Sequence, residues 1–281
     1  MHSQWLAALS LLLVLSPARS QDVKIRGKAF DIAGSVFTSA LSINNSGVIV
    51  GWYEDQSQVT HGFIFDHGAL TNVDAPGGTS TICLGINSIG EVVGQYIRAS
   101  GKNIGFLYRN GQFKDIDPFP GDLTGASGIN DAGDIVGGYA LCQFCRQHGY
   151  LFDGRTYTTV DTPGVSSSAT AINNVGVMTM IGVDAKDRYH GYLYNGTTFT
   201  NIDIPGVAGT LPHGINNWGD VALEWFGKQS VNHGALLHHG KFTKFDAPGA
   251  TDGGVSGIND DRRMVGTYFI GNSLASAEYR Y

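Results

Sequence analysis

The chain has 281 residues, with 18 Lys and Arg against 24 Asp and Glu, which gives a formal net charge of −6. This balance offers a phosphate backbone little attraction, so it argues against nucleic-acid binding. Charged residues make up only 15% of the composition, whereas glycine occupies 40 positions. Many tight turns between segments rich in Val, Ile, Thr, Tyr and Phe are typical of an all-β protein.

The N-terminus is typical of an export signal. From Trp5 to Leu15 nearly every residue is apolar, but the run is too short to cross a bilayer as a helix. A proline ends it, and Ala18-Arg19-Ser20 provides the small-x-small pattern that a signal peptidase cleaves. We predict that residues 1–20 are a cleaved signal peptide and that residues 21–281 are secreted, extracellular or periplasmic, with no membrane span. An uncleaved N-terminal anchor is the alternative.

The rest of the chain repeats with a period of 43 residues. An Ile-Asn pair marks each of six units, with the isoleucine at Ile43, Ile86, Ile129, Ile172, Ile215 and Ile258. An Asp-x-Pro-Gly turn keeps the same phase at Asp74, Asp117, Asp161, Asp203 and Asp246. A His-Gly pair follows the same phase at His61, His148, His190 and His233, while Ile104 holds this place in the second unit.

Each unit is predicted to form four short strands, A to D. In the third unit these are residues 124–130, 134–139, 148–152 and 156–161. Four strands in about 43 residues is the length of one blade of a β-propeller. A single blade cannot bury both faces, so the apolar pairs of strand B are expected to fill the seams between neighbouring blades.

The ends of the chain predict how the ring closes. The sixth unit stops after strand C, and Phe30-Asp31-Ile32-Ala33-Gly34 matches the end of strand D in the fifth, Phe245-Asp246-Ala247-Pro248-Gly249. We therefore predict a single six-bladed β-propeller domain over residues 21–281, in which an N-terminal strand at about 24–34 pairs with the C-terminal blade. Such a strand would cover an edge that is otherwise prone to aggregation.

These markers resemble those of the HAF family, a group of probable extracellular bacterial repeats named after a His-Ala-Phe-like motif. The likeness covers all six units and is carried best by His61-Gly62-Phe63, His148-Gly149-Tyr150 and His190-Gly191-Tyr192. His233-Gly234-Ala235 loses the aromatic residue, and Ser276-Ala277-Glu278 departs altogether. The resemblance implies bacterial export and β-propeller-like repeats, and it brings no established activity and no catalytic residue.

Three cysteines allow several pairings. Cys142 and Cys145 could close a short disulfide loop and leave Cys83 free, or Cys83 could pair with either of them. With His148 nearby a metal site is another interpretation, but it lacks an obvious fourth ligand. We predict no metal and no cofactor.

The repeated polar residues are best interpreted as structural. A histidine at the same place in four units is expected to bond a neighbouring carbonyl, and the aspartate before Pro-Gly to accept backbone N–H groups within the turn. Equivalent carboxylates around a ring do not make a general acid and a general base, because those roles need different environments.

Function is expected where the units differ. Ten residues after each isoleucine the chain places Tyr53, Tyr96, Tyr139, Gly182, Trp225 and Tyr268, a set that we call the aromatic row. Trp52 and Glu224 flank it. If its rings face the B–C and D–A loops, they form a stacking surface for sugar rings or a peptide. The alternative is that they plug the ends of the seams as core aromatics.

The sequence favours a secreted, non-enzymatic binding module whose loop face holds a glycan, a peptide or a protein partner, and we expect a monomer. The alternative is a carbohydrate-active or other hydrolytic enzyme with its site over the propeller channel, in which Glu224 and either Asp184 or Asp187 form a carboxylate pair. A purely structural role at the cell surface is the third interpretation.

Overall fold

The computed structural model describes residues 26–117, 123–142, 145–270 and 273–280. The predicted signal peptide, residues 1–20, lies outside the described residues, as do residues 24 and 25 of the predicted N-terminal strand. The described residues form 24 β-strands and no helix, so the all-β prediction is confirmed. None of the described segments is a helix long and apolar enough to cross a membrane.

Each unit contributes strands A, B, C and D in chain order. The first three units hold β2 (Phe37–Ile43), β3 (Ile49–Glu54), β4 (Thr60–Asp66), β5 (Ala69–Val73), β6 (Gly78–Ile86), β7 (Val92–Arg98), β8 (Asn103–Arg109), β9 (Gln112–Ile116), β10 (Leu123–Ile129), β11 (Ile135–Ala140), β12 (Gln147–Phe152) and β13 (Tyr157–Val160). In the third unit every strand begins and ends within one residue of its predicted bounds.

The later units repeat the pattern. They hold β14 (Ser166–Ile172), β15 (Met178–Val183), β16 (Tyr189–Tyr194), β17 (Phe199–Asn201), β18 (Gly209–Ile215), β19 (Val221–Phe226), β20 (Asn232–His238), β21 (Lys241–Phe245), β22 (Asp252–Ile258), β23 (Arg263–Ile270) and β24 (Ser273–Arg280). The remaining strand, β1 (Arg26–Phe30), pairs antiparallel with β24. The sixth unit is therefore a four-stranded sheet of order β1-β24-β23-β22.

Neighbouring strands within a unit pair antiparallel, and strand A carries a register shift in every unit. The second and third units form one sheet path because Leu123 in β10 makes a single parallel pair with Asn103 in β8. Strands A and B are joined by turns that all have the same shape. Gly133 lies at φ 86° in the third unit, and the sixth unit adopts the same left-handed backbone at Arg262, φ 56°.

The core lies in the seams between units. Val50 of the first unit is fully buried in a cluster with Ile86 and Val92 of the second. The equivalent residues of four other units also pack against the unit that follows them. They are Val93, Val136, Ala222 and Val265. Val265 thus joins the sixth unit to the first. Each such aliphatic side chain stabilises the fold by roughly 1.5–3 kcal/mol relative to an exposed one.

In four units a cross-strand pair combines one large and one small residue in the seam. A glycine of strand B faces an aromatic residue of strand C in Gly51–Phe63, Gly94–Phe106 and Gly137–Tyr150. In the fifth unit the sizes are exchanged, because Leu223 faces Ala235 and both side chains are fully buried. The missing aromatic of His233-Gly234-Ala235 is therefore replaced by a leucine on the neighbouring strand.

Candidate functional site

The strands have two ends, and each end presents one face of the molecule. The A–B turns form what we call the turn face, at residues 44–48, 87–91, 130–134, 173–177, 216–220 and 259–263. The B–C loops and the Asp-x-Pro-Gly turns form the opposite, loop face, where the sequence analysis placed the candidate site.

Most of the aromatic row is packed into the seams. Tyr96, Tyr139 and Tyr268 are 6%, 8% and 6% exposed and belong to the hydrophobic clusters between units. Tyr53 and Trp225 are half-buried at the edges of two further clusters. The row thus does not present five accessible ring faces, and the alternative interpretation, core aromatics at the ends of the seams, accounts for Tyr96, Tyr139 and Tyr268. Binding by Tyr53 and Trp225 stays a prediction.

Hydroxyl groups anchor the tyrosines of the row to strand D of their own unit. Tyr96 Oη donates to Asp115 Oδ1 at 2.9 Å, and Tyr53 Oη donates to Asn72 Oδ1 at 3.2 Å. Burial raises the pKa of the Tyr96 hydroxyl. The Tyr96 phenol is consequently held as a neutral donor, and both hydroxyl bonds suit a structural role.

Three of the four repeated histidines stack on the member of the row that faces them across strands B and C, whereas His190 faces Gly182. The ring centroids lie 5.1 Å apart for Tyr53 and His61, 5.2 Å apart for Tyr139 and His148, and 4.3 Å apart for Trp225 and His233. Lys244 Nζ lies 4.1 Å from the centre of the Trp225 ring. On the loop face, the half-buried Trp225 ring thus has a histidine and a lysine beside it.

The same histidines bond the aspartates of the Asp-x-Pro-Gly turns. His Nδ1 lies 3.1, 2.8, 2.7 and 3.0 Å from a carboxylate oxygen in the pairs His61–Asp74, His148–Asp161, His190–Asp203 and His233–Asp246. The structural interpretation is therefore supported, but the partner is a carboxylate and not the expected backbone carbonyl. The aspartate of the fourth unit also accepts the backbone N–H of Gly191 at 2.8 Å.

In two units the histidine is absent, and another group bonds the aspartate of the turn. In the second unit Ile104 is fully buried, and Lys102 Nζ lies 3.0 Å from Asp117 Oδ2. In the sixth unit Tyr268 pairs with Ala275, so Ala275 takes the place of the histidine, one residue before the Ser276 that the 43-residue period indicates. The backbone N–H of Ser276 donates to the carboxylate of Asp31. Burial raises the pKa of Asp31 despite this bond. The N-terminal segment thus supplies the aspartate that the sixth unit lacks.

The fourth unit has the most polar loop. His190 lies between two carboxylates, with Nδ1 2.7 Å from Asp203 and Nε2 3.4 Å from Asp184. The hydrogen bond with Asp203 raises the pKa of His190. The Arg188 guanidinium, 2.6 Å away, holds the pKa of Asp184 well below its usual range. Asp187 lies exposed at φ 58° in the same turn.

Glu224 has partners other than those the enzyme interpretation requires. It packs over Gly254 of the sixth unit, where an added Cβ would lie 2.6 Å from its Oε2. His213 Nε2 lies 3.8 Å from the same oxygen, and burial lowers the pKa of His213. Trp52 occupies the equivalent position in the first unit and is half-buried there. Glu224 thus lies beside His213 without a hydrogen bond to its buried Nε2, whereas Asp184 pairs with Arg188 and His190.

The cysteines divide into a bonded pair and a buried thiol. A disulfide joins Cys142 and Cys145, with their Cα atoms 5.0 Å apart, at the start of the third B–C loop. Cys83 forms no disulfide and is fully buried, and burial raises the pKa of its thiol. Among the described residues, no group of three or more His, Cys, Asp or Glu side chains is placed to hold a metal ion.

On the turn face, the asparagine of each Ile-Asn pair has a structural role that its regular spacing alone does not reveal. The asparagine of every Ile-Asn pair is 3–6% exposed. Its Nδ2 donates to the backbone carbonyl of the equivalent asparagine in the next unit at 3.0–3.4 Å, in the order Asn44, Asn87, Asn130, Asn173, Asn216, Asn259 and back to Asn44. We call this set the asparagine belt. In the sequence, the only sign of this belt is that the asparagine recurs at the same position in all six units.

Each belt asparagine also fixes its own A–B turn. Asn173 Oδ1, for example, accepts the backbone N–H groups of Val175 at 3.2 Å and Val177 at 2.9 Å. A cavity of about 90 Å³ lies inside the belt and is lined by the Ile-Asn segments of all six units. The belt thus joins neighbouring units around one central cavity.

No protein-family model matches the chain, and no curated protein matches it in sequence. Solved structures do resemble it. The fungal lectin of Aleuria aurantia, a six-bladed β-propeller that recognises fucose, matches with 9% identity and a TM-score of 0.55, covering 87% of this chain and 93% of that chain. SapL1 lectin in complex with alpha methyl fucoside matches with 11% identity and a TM-score of 0.57, covering 88% and 94%.

An enzyme shares the same likeness. A catalytically inactive variant of virginiamycin B lyase from Staphylococcus aureus, with quinupristin, matches with 12% identity and a TM-score of 0.55, covering 92% of this chain and 100% of that chain. Together these likenesses show a β-propeller fold. Identities this low do not decide between binding and catalysis, because one fold hosts many functions.

Proposed function

We propose that this chain is a secreted carbohydrate-binding protein without catalytic activity. The observation that carries the proposal is the likeness to two sugar-binding lectins over 87% and 88% of the chain. The residues add support, because aromatic rings on both faces lie beside polar side chains, the combination that binds the apolar and hydroxyl-bearing faces of a sugar.

We further propose that the six units are six blades of a ring closed by the N-terminal strand. Three contacts between the ends of the chain support closure. The strand β1 pairs with β24, Val265 packs with Ile43 of the first unit, and Asn259 Nδ2 donates to the Asn44 carbonyl at 3.1 Å. A closed ring leaves fewer open sheet edges than an open stack does.

Export and the HAF resemblance belong to the same proposal. The disulfide between Cys142 and Cys145 suits an oxidising compartment. The histidine of the HAF-like motif has one role in four units, which suits a repeat family in which the motif maintains the blade. Edman sequencing of the exported chain tests the cleavage, and a first residue at or near Gln21 is expected.

The second candidate is an enzyme, favoured by the likeness to virginiamycin B lyase. Its most suitable residues are Glu224 and His213, which lie 3.8 Å apart between the fifth and sixth units. Turnover of a glycan or peptide substrate that disappears in Glu224→Gln would support this candidate. Turnover that survives the substitution would exclude Glu224 as the catalytic group.

A glycan-array screen of the exported protein, followed by calorimetric titration of each hit, tests the proposed function. We expect saturable binding of at least one glycan, with no change in the glycan after prolonged incubation. A folded protein that binds nothing on the array would contradict the proposal, and cleavage of a bound glycan would favour the enzyme.

A further inference from the structure

Trp218 is the largest exposed apolar side chain on the turn face. It lies at the tip of the turn between β18 and β19, and 71% of its surface is exposed. Two bonds fix it. Its backbone N–H donates to Asn216 Oδ1 at 3.0 Å, and its indole Nε1 donates to the carbonyl of Asp260 in the sixth unit at 3.1 Å. The ring is therefore held across two units while most of its surface meets solvent.

Polar groups of fixed orientation lie beside this ring. Asp260 Oδ2 accepts Nδ2 of Asn217 at 2.8 Å and Nδ2 of Asn45 at 2.7 Å, and Asp260 Oδ1 accepts the backbone N–H of Asn217 at 2.8 Å. All three residues line the central cavity. Each side-chain amide still has a second N–H, and each carboxylate oxygen has more than one acceptor site.

An apolar ring next to amides and a carboxylate matches one class of ligand. The C–H face of a pyranose stacks on an aromatic ring, while its hydroxyl groups bond planar polar side chains at the edge. Because hydrogen bonds already fix both parts of the site, a sugar would not have to order them on binding.

The shape and the charge of the region narrow the ligand further. The central cavity, at about 90 Å³, is well below the roughly 300–1,000 Å³ of pockets that enclose a ligand. A sugar would therefore lie across the opening, with waters in the cavity as bridges. The carboxylates of Asp260 and Asp261, together with a net charge of −6, disfavour an anionic glycan.

The aromatic ring of the site occurs in one unit. The residues at the position of Trp218 in the other units are Ser46, Ile89, Ala132, Val175 and Asp261, and none has an aromatic ring. Ile89 and Val175 are as exposed as Trp218, at 71% and 72%, but they offer no ring face.

We propose that the Trp218 ring binds one pyranose ring of a neutral glycan on the turn face, with Asn217 and Asp260 at the seam between the fifth and sixth units and Asn45 of the first unit completing the polar edge. The proposal rests on the proposed carbohydrate-binding function and places it on the turn face. The aromatic row on the loop face is not required for it.

Calorimetric titration with neutral probes tests the site. The probes are the methyl glycosides of fucose, galactose, mannose and glucose and the neutral hits of the array. For Trp218→Ala we expect at least a tenfold rise in Kd, and for Trp218→Phe a smaller rise because a ring remains. Val175→Ala is the matched control, since it removes an equally exposed side chain from the same turn position. It should leave Kd unchanged. Trp225→Phe is measured in the same assay to report on the loop face.

The outcomes separate the site from the function. If the unaltered protein binds a neutral glycan and Trp218→Ala binds it equally well, the site is wrong although the function stands. If Trp225→Phe alone weakens binding, the ligand lies on the loop face and the site is again wrong. If the unaltered protein binds no glycan, the proposed function itself fails. Circular dichroism and the thermal midpoint of each variant show that a lost affinity is not a lost fold, and Trp218→Phe provides a second, milder test.

Discussion

The two faces of the molecule are held together by different kinds of bond. On the turn face all six units keep the belt asparagine, and its exposure is 3–6%. On the loop face four units keep the histidine, whose side chain is 22–29% exposed, and the other two have Ile104 or Ala275 at this place. The belt bonds join one unit to the next, whereas each His–Asp bond lies within a single unit.

This difference explains which positions tolerate change. A belt residue must donate to the next unit and accept two backbone N–H groups from its own turn, and a side-chain amide does both at once. A loop-face pair can be replaced locally, as Lys102 shows by taking over the aspartate in the second unit. The turn face therefore keeps the same residue at the belt in all six units, whereas the other turn positions vary, including the tip at which Trp218 lies.

Asn173→Ala should be the largest single loss. The substitution removes the 3.0 Å bond to the Asn216 carbonyl and leaves the N–H groups of Val175 and Val177 without their acceptor. Leaving a buried polar group unpaired costs about 1–3 kcal/mol. We expect the free energy of unfolding to fall by roughly 2–4 kcal/mol, measured by urea denaturation.

Asn174→Ala is the matched control for that experiment. Asn174 is the next residue, but it is exposed and bonds Asp131 at the rim of the cavity. Its removal should cost less than about 1 kcal/mol. If both substitutions lower the free energy of unfolding equally, the belt has no special role, and other contacts hold neighbouring units together.

His148→Ile tests the other face and should have a smaller effect. The substitution copies the second unit, where Ile104 occupies the same place and is fully buried. It removes the 2.8 Å bond to Asp161 and the stacking on Tyr139, while Arg146, 3.8 Å from Asp161, remains. We expect a loss of roughly 0.5–1.5 kcal/mol in the same denaturation assay. A loss as large as that of Asn173→Ala would remove the contrast between the faces.

Much of the fold could be predicted because it repeats. The Ile-Asn period and the turn residues placed all four strands of the third unit to within one residue, since both depend on local chemistry that the sequence displays. Contacts between neighbouring units could not be predicted from the repeat pattern. The burial of Tyr96 and Tyr268 depends on how closely neighbouring units pack, and a residue pattern alone does not give that distance.

The candidate site was harder to predict for the same reason. A pattern that repeats in every unit, such as the belt asparagine, is visible in the sequence, but its bond to the next unit becomes evident only when the units lie side by side. Trp218 is a single departure from the pattern at a turn tip. Its significance depends on its exposure and on the bond to Asp260, and neither follows from the sequence.

The smallest expected effect is a pH dependence from His190 in the fourth unit. Asp203, 2.7 Å from Nδ1, and Asp184, 3.4 Å from Nε2, both favour the imidazolium form of His190, and the pKa of His190 is raised from the ordinary 6.5. Because the folded-state pKa is the higher one, the protonated histidine stabilises the folded protein fully below pH 6.5, and this stabilisation is lost as the pH rises through the raised pKa.

Titration of the imidazole Cε1–H signal of His190 by NMR should show the raised pKa. Asp203→Asn should lower the His190 pKa more than Asp184→Asn does, since the bond with Asp203 is the shorter and the main cause. A His190 pKa at or below 6.5 in the unaltered protein would contradict this prediction. The two carboxylates would then only anchor the turn, and protonation of His190 would not stabilise the fold.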